Sequence, residues 1–342
     1  MPSPDNPAHG DSKIAVMSTT KTLKPARAAV LGVALAVCAS LTARGQDLRA
    51  RADQPPLFVD CRGAPTASPM VILEAGAFGT SADWDYVLDD LSKAGRVCAY
   101  DRAGVGHSPP RPGDLGVLAK ARELRSLLDQ IGETGPVILV GHSNGALYAE
   151  AFARLYPERL AGLVYVNGVG TDDLDHPSLM ASLREERRLS DLAVTVGDLG
   201  LSPLVASQLG GEGLRPEATR RKYEALTCVP CLKVARDEDR AIIAGLIAVR
   251  ALPDDVRQIP TVVISGDPYP NSRIARAWRS AEIAPAERAD HGWILDAPGA
   301  THVSPLARDR AYVDAAVAWL REPYLDAPVK PAPTALPATP GL

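Results

Sequence analysis

The run Gly141-His142-Ser143-Asn144-Gly145 sets a serine between two glycines. It follows the apolar residues 137–140 directly and leads into a helical pattern over 146–156, stopped by Pro157. A serine hydroxyl is a weak nucleophile until a base takes its proton. On a sharp strand-to-helix turn its oxygen lies at a helix N-terminus, where oriented N–H groups favour developing negative charge. Small residues at 141 and 145 relieve the crowding such a turn creates. The chemistry this suits is acyl transfer. The bland alternative is a glycine-rich turn whose serine only caps the helix. A second segment, Val71-Ile72-Leu73-Glu74-Ala75-Gly76-Ala77-Phe78-Gly79, reads as a strand running into a glycine-rich loop. The backbone N–H groups of Ala77 and Asn144 are the candidate oxyanion donors.

Acyl transfer needs a base, and the chain has six histidines. His9 precedes a basic and apolar leader-like segment, and His142 adjoins the serine with its side chain expected to point elsewhere. His107 lies in a glycine loop after an earlier strand, and His176 lies at the entrance to a helical insertion at 171–255. That elimination leaves His291 and His302.

These residues need elements to position them. Short β-branched or aliphatic runs at 57–61, 71–74, 97–100, 137–140, 163–166, 261–265 and 293–295 read as strands buried on both faces. They alternate with amphipathic helices at 115–131, 146–156 and 311–320, the pattern of a mostly parallel sheet with helices on its faces. Residues 171–255 break that rhythm with helical stretches and no convincing strand. Such an insertion is expected to cap the C-terminal edge of the sheet. The Pro- and Ala-rich tail from 323 is expected to be disordered.

Glu74-Ala75-Gly76, Tyr100-Asp101-Arg102-Ala103-Gly104-Val105-Gly106-His107-Ser108 and Gly141-His142-Ser143-Asn144-Gly145, in that order, resemble the α/β-hydrolase superfamily. The likeness covers roughly residues 57–322 and is weakest over the insertion. It is greatest to the capped esterase and proline-iminopeptidase-like branch. The resemblance implies an α/β-hydrolase fold with an eight-stranded, mostly parallel sheet, one antiparallel edge and a helical cap. It also implies a Ser-acid-His triad in that chain order.

On this likeness Ser143 is the nucleophile, and His302, in Gly299-Ala300-Thr301-His302 after the last strand, is the base. The acid is Asp267 in Gly266-Asp267-Pro268, although its 35-residue separation from His302 is long. Some relatives place the carboxylate after the preceding strand. Here that strand ends in Asn167, with Asp172 a few residues on as the alternative acid. Asp101 and Arg102 match a loop that is structural in the family and receive no catalytic role. Two departures are Ala75 where the family has histidine and Ala146 where it has a further glycine.

Composition bounds the rest. A chain of 342 residues with 46% hydrophobic and 23% charged residues can bury a substantial core. A net charge of −4 without a basic stripe argues against a nucleic-acid partner. Lys21, Lys24 and Arg27 precede an apolar run over 28–37, the order of a secretory signal peptide within residues 1–45. An exported protein is expected, with an N-terminal membrane anchor as the alternative. Cys38 faintly suggests a lipoprotein site, but Val37 is bulky there. Beyond that segment stand Cys61, Cys98, Cys228 and Cys231, an even number suited to disulfides in an exported chain. Cys228-Val229-Pro230-Cys231 is taken as structural, and Cys61 can bond Cys98 if their strands lie side by side. No cofactor or metal is called for.

The substrate is expected to be a small ester, cleaved through an acyl-enzyme. An amide with an amine held by Glu185, Glu186, Asp237 or Glu238 is the second reading, and a non-catalytic binding module the third.

Overall fold

The computed structural model describes residues 55–209, 213–266, 273–321 and 334–335. The leader expected within 1–45, Asp267 and most of the tail lie outside the described residues. Eight strands form one sheet in the order β1-β3-β2-β4-β5-β6-β7-β8. They are β1 (Val59–Arg62), β2 (Val71–Glu74), β3 (Val97–Tyr100), β4 (Val137–His142), β5 (Leu160–Val166), β6 (Thr261–Ser265), β7 (Gly292–Asp296) and a two-residue β8 (Thr334–Ala335). Only β1 runs antiparallel to its neighbour, giving the expected antiparallel edge. Of the tail expected to be disordered, Thr334–Ala335 pairs with β7.

The strand sequences explain this architecture. Every residue of β2, β3, β4 and β6 is buried, which demands apolar side chains on both faces. Alternate residues then feed two cores. Ile72, Leu139, Leu163 and Val263 pack with α2 (Val117–Gln130), α3 (Asn144–Leu155) and α8 (Arg273–Arg288). Leu73, Val140, Val164 and Val262 pack with α1 (Asp85–Ser92) and α9 (Ala311–Arg321) on the other face. The period of two along each strand supplies both. Cys61 sits directly opposite Cys98 across β1 and β3, and the two are bonded.

Between β5 and β6 the chain runs through a short turn of helix (Thr171–Asp175) and four longer helices. These are α4 (Pro177–Val196), α5 (Ser202–Leu209), α6 (Pro216–Thr227) and α7 (Val229–Arg250). A π-helical stretch kinked at Gly200 joins α4 to α5. Cys228 caps α7, accepting from the Cys231 N–H, and is bonded to Cys231. Ile242, Leu246 and Val249 of α7 join the core beside α2 and α3, which seats the insertion on the sheet domain.

Candidate active site

Ser143 occupies the turn between β4 and α3 at φ 54°, ψ −126°. A non-glycine residue pays on the order of 1–3 kcal/mol for such a conformation. The surroundings hold it there. Its N–H donates to the Val166 carbonyl on β5, and its own carbonyl accepts from the N–H groups of Ala146 and Val169. A Cβ at Gly141 would stand 2.6 Å from the Gly145 carbonyl oxygen, and one at Gly145 2.5 Å from that of Glu74. Both glycines are therefore steric requirements of the turn. The Asn144 N–H opens α3 and has no carbonyl one turn earlier within the helix to receive it.

Ser143 opens into a cavity of about 940 Å³ that Ala77, His142 and His302 also line. The structure thus brings together at one cavity the serine, the histidine of the last loop and the Ala77 segment, with Asn144 adjoining. Most of the remaining wall comes from the insertion, where Leu189, Leu192, Val196, Leu204 and Val205 make it apolar.

His302 is open to the cavity but otherwise surrounded by protein, against Trp278 (ring centroids 6.2 Å apart) and His142 (4.8 Å). Burial, reinforced by His142, pushes its pKa down to about 3. Burial likewise lowers His142 to about 4. A ring whose charge is opposed this strongly becomes an effective base only when a partner stabilises its protonated form.

His142 does more than adjoin the nucleophile. Its Nε2 lies 2.8 Å from the His302 carbonyl oxygen, so the neutral ring donates there and ties the serine turn to the histidine loop. Asn167, fully buried at the end of β5, makes a second tie. Its Nδ2 donates to the carbonyls of Thr301 (3.3 Å) and His302 (3.0 Å), and its Oδ1 accepts from the Gly266 N–H (2.8 Å). One amide thereby clamps the loop after β6, which leads to Asp267, against the loop carrying His302. The sequence signal was a polar residue closing a β-branched run, noted only for its lack of charge.

Asp172 is placed elsewhere. Its carboxylate pairs with Arg288 at 2.6 Å, and it does not line the cavity. Of the four acids weighed for amine recognition, only Glu186 faces the cavity. Glu185 pairs with Arg188, and Asp237 with Arg236 and Arg240. Glu238 is buried against Arg102 and Lys120.

Sequence reasoning missed Asp239, which lines the cavity and accepts from Ser190 Oγ (2.6 Å) and Asn144 Nδ2 (3.2 Å). It also missed Lys222, whose Nζ holds the Phe78 carbonyl (2.9 Å) and Asp83 (2.7 Å). Burial, then repulsion from Asp239, raises Glu186 to about 7, and burial raises Asp239 as well. Among the described residues no group of three or more His, Cys, Asp or Glu side chains could hold a metal ion.

A model of the alpha/beta hydrolase family matches residues 71–331. Among curated proteins, an AB hydrolase superfamily protein of Gibberella zeae is 32% identical over 40% of this chain and 44% of its own length. The 2-hydroxy-6-oxo-2,4-heptadienoate hydrolase of Pseudomonas putida is 34% identical over 32% of this chain and 42% of its own. The chain thus spans under half the length of these relatives. A thermophilic esterase from Thermogutta terrifontis shares the fold with a TM-score of 0.56 and 24% identity, over 78% of this chain and 93% of its own. With the family model spanning well over half of it, the chain belongs to the alpha/beta hydrolase family.

Proposed function

We propose that the protein is a serine hydrolase that cleaves carboxylic esters through an acyl-enzyme. The observation that carries this reading is Ser143, held at positive φ on the strand-to-helix turn and facing a cavity that His302 also lines. In the proposed cycle Ser143 Oγ attacks the ester carbonyl as His302 takes its proton. The carbonyl oxygen becomes an oxyanion received by the N–H groups of Ala77 and Asn144. Collapse expels the alcohol, protonated by His302. Water then attacks the acyl-enzyme with His302 again as base, releasing the acid and freeing Ser143.

A histidine whose surroundings oppose its charge gains most from a carboxylate at its other nitrogen. Asp267, which follows the Gly266 held by Asn167, is the proposed partner. The engagement of Asp172 with Arg288 favours Asp267 over it.

The insertion is proposed to act as a cap, its leucines accommodating an apolar acyl or alcohol group. The two disulfides support the reading of an exported protein. A second reading, cleavage of an amide or ester that carries an amine, is favoured by Glu186 and Asp239 on the cavity wall.

Ser143→Ala tests the mechanism. It should abolish hydrolysis of short-chain aryl esters and labelling by a fluorophosphonate. Full retained activity would remove the mechanism, and a wild type that resists the probe would favour the binding-module reading. Parallel assays of aryl esters and aminoacyl-arylamides separate the two hydrolytic readings.

A further inference from the structure

Arg102 is buried to 2% exposure, and its N–H donors make four hydrogen bonds, to α7, to the end of β2 and to the loop that follows it. Its Nε donates to Glu238 Oε2 on α7 at 3.0 Å, and Nη1 to Glu74 Oε1 at the end of β2 at 2.8 Å. Nη1 also reaches the Ala75 carbonyl oxygen at 2.7 Å, and Nη2 that of Gly76 at 3.0 Å. The last contact bears on the chemistry. The Gly76 C=O and the Ala77 N–H belong to one peptide unit, and in a trans peptide they point to opposite sides. The Gly76 oxygen is held by the Gly79 N–H within the turn (3.1 Å) and by the guanidinium from outside it, and the second anchor turns the Ala77 N–H away from Arg102. Ala77 itself lines the cavity beside Ser143.

We propose that Arg102 is a positioning residue that aims the Ala77 N–H at the oxyanion by fixing the Gly76–Ala77 peptide, and that Glu238 makes this aim depend on the inserted helices. The inference rests on the acyl-transfer reading above. Glu238 is suited to its part: although burial disfavours its charge, Arg102 and Lys120 (3.0 Å) hold it below the usual carboxylate range. The insertion grips the same turn a second time through the Lys222 contact with the Phe78 carbonyl. Seating of α6 and α7 is thereby coupled to the shape of the loop from Ala75 to Gly79. A lysine at 102 would keep the charge, but its single ammonium lacks the planar fork that serves two carbonyls and two carboxylates together.

The test compares a matched pair of aryl esters, one oxo and one thiono. Donors aimed at an oxyanion stabilise the developing charge on oxygen better than that on the larger, weakly accepting sulfur. Wild type should prefer the oxo ester. Loss of one oxyanion donor typically costs on the order of 10²–10³ in turnover. Arg102→Lys should therefore lower the oxo-to-thiono ratio of kcat/KM by about tenfold or more, and Glu238→Gln by a smaller factor. The ratio is independent of how much enzyme is folded, so loss of stability alone leaves it unchanged. Should Arg102→Lys fail to fold, Glu238→Gln carries the same comparison. Proportional loss of both activities, at constant ratio, would overturn the positioning role. Equal turnover by wild type and Ser143→Ala would instead overturn the acyl-enzyme reading, and the inference with it.

Discussion

At the level of single residues, the loops around Ser143 are held by side chains that do not themselves react. Asn167 bridges the loop after β6 and the His302 loop, and His142 bridges the serine turn and the same His302 carbonyl. Asn167→Leu keeps the bulk but removes both functions of the amide. It should lower kcat more than it raises KM, because it disturbs the geometry of the proposed triad and leaves the apolar cavity wall intact. Steady-state kinetics on an aryl ester checks this split. The choice of acid is equally direct. Asp267→Asn should lower kcat by about 10⁴, the order seen when a triad carboxylate is neutralised. Asp172→Asn should cost far less, because its partner Arg288 lies away from the cavity lining. A larger loss in Asp172→Asn would reverse the assignment. The two histidines also set a pH dependence. Between about 4 and the ordinary value of 6.5, the unfolded chain binds a proton that buried His142 refuses. Stability linked to His142 therefore rises with pH across that window. His142→Gln should flatten the slope in thermal melts taken from pH 4 to 7.

At the level of elements, the strands were the most legible part of the sequence. Strands buried on both faces must be continuously apolar, and the expected runs at 71–74, 97–100 and 261–265 coincide with β2, β3 and β6. The helices α1 and α8 were not anticipated. Mean hydropathy is low in α8, whose burial includes Glu282, a residue no apolar pattern reveals. Glu282 accepts from Ser265 Oγ at the end of β6, and burial raises its pKa to about 8. Between about pH 4.5 and about 8 the folded protein thus holds a proton on Glu282 that the unfolded chain has released, and the associated stability is lost progressively as pH rises across that window. Glu282→Gln should keep the hydrogen bond while removing the Glu282-linked decline in melting temperature between about pH 5 and 8. An unchanged decline would assign it to other groups. The disulfides offer a comparison between elements. Cys61–Cys98 closes 37 residues of chain, Cys228–Cys231 only three. Replacing the first pair by alanine should cost about 2–4 kcal/mol in denaturant unfolding, and replacing the second pair should cost less.

For the whole molecule, the sheet places Ser143 and the His302 loop at one edge, and the insertion encloses that edge with apolar side chains. The local turn around Ser143 could be read from the chain because its requirements are local: a strand, two residues without Cβ and a helix. The walls of the cavity could not. Asp239, Glu186 and Lys222 sit on helices that look solvated in sequence, and only the packing of α4, α6 and α7 decides which of their charges face inward. Glu185 and Glu186 are neighbours, yet one pairs with Arg188 and the other lines the cavity. The same packing carries Glu238 to Arg102, joining a sequence motif near β3 to a helix more than a hundred residues later. The central claim is covalent: the acyl group passes through Ser143. Rapid mixing with an aryl ester, followed by acid quench and peptide mass spectrometry, tests this directly. With an aryl ester whose acylation outpaces deacylation, a burst of about one aryl alcohol per active enzyme is expected. An acyl adduct confined to the peptide containing Ser143 is expected with it. Steady turnover with no burst and no adduct on that peptide, matched by Ser143→Ala, would contradict that claim.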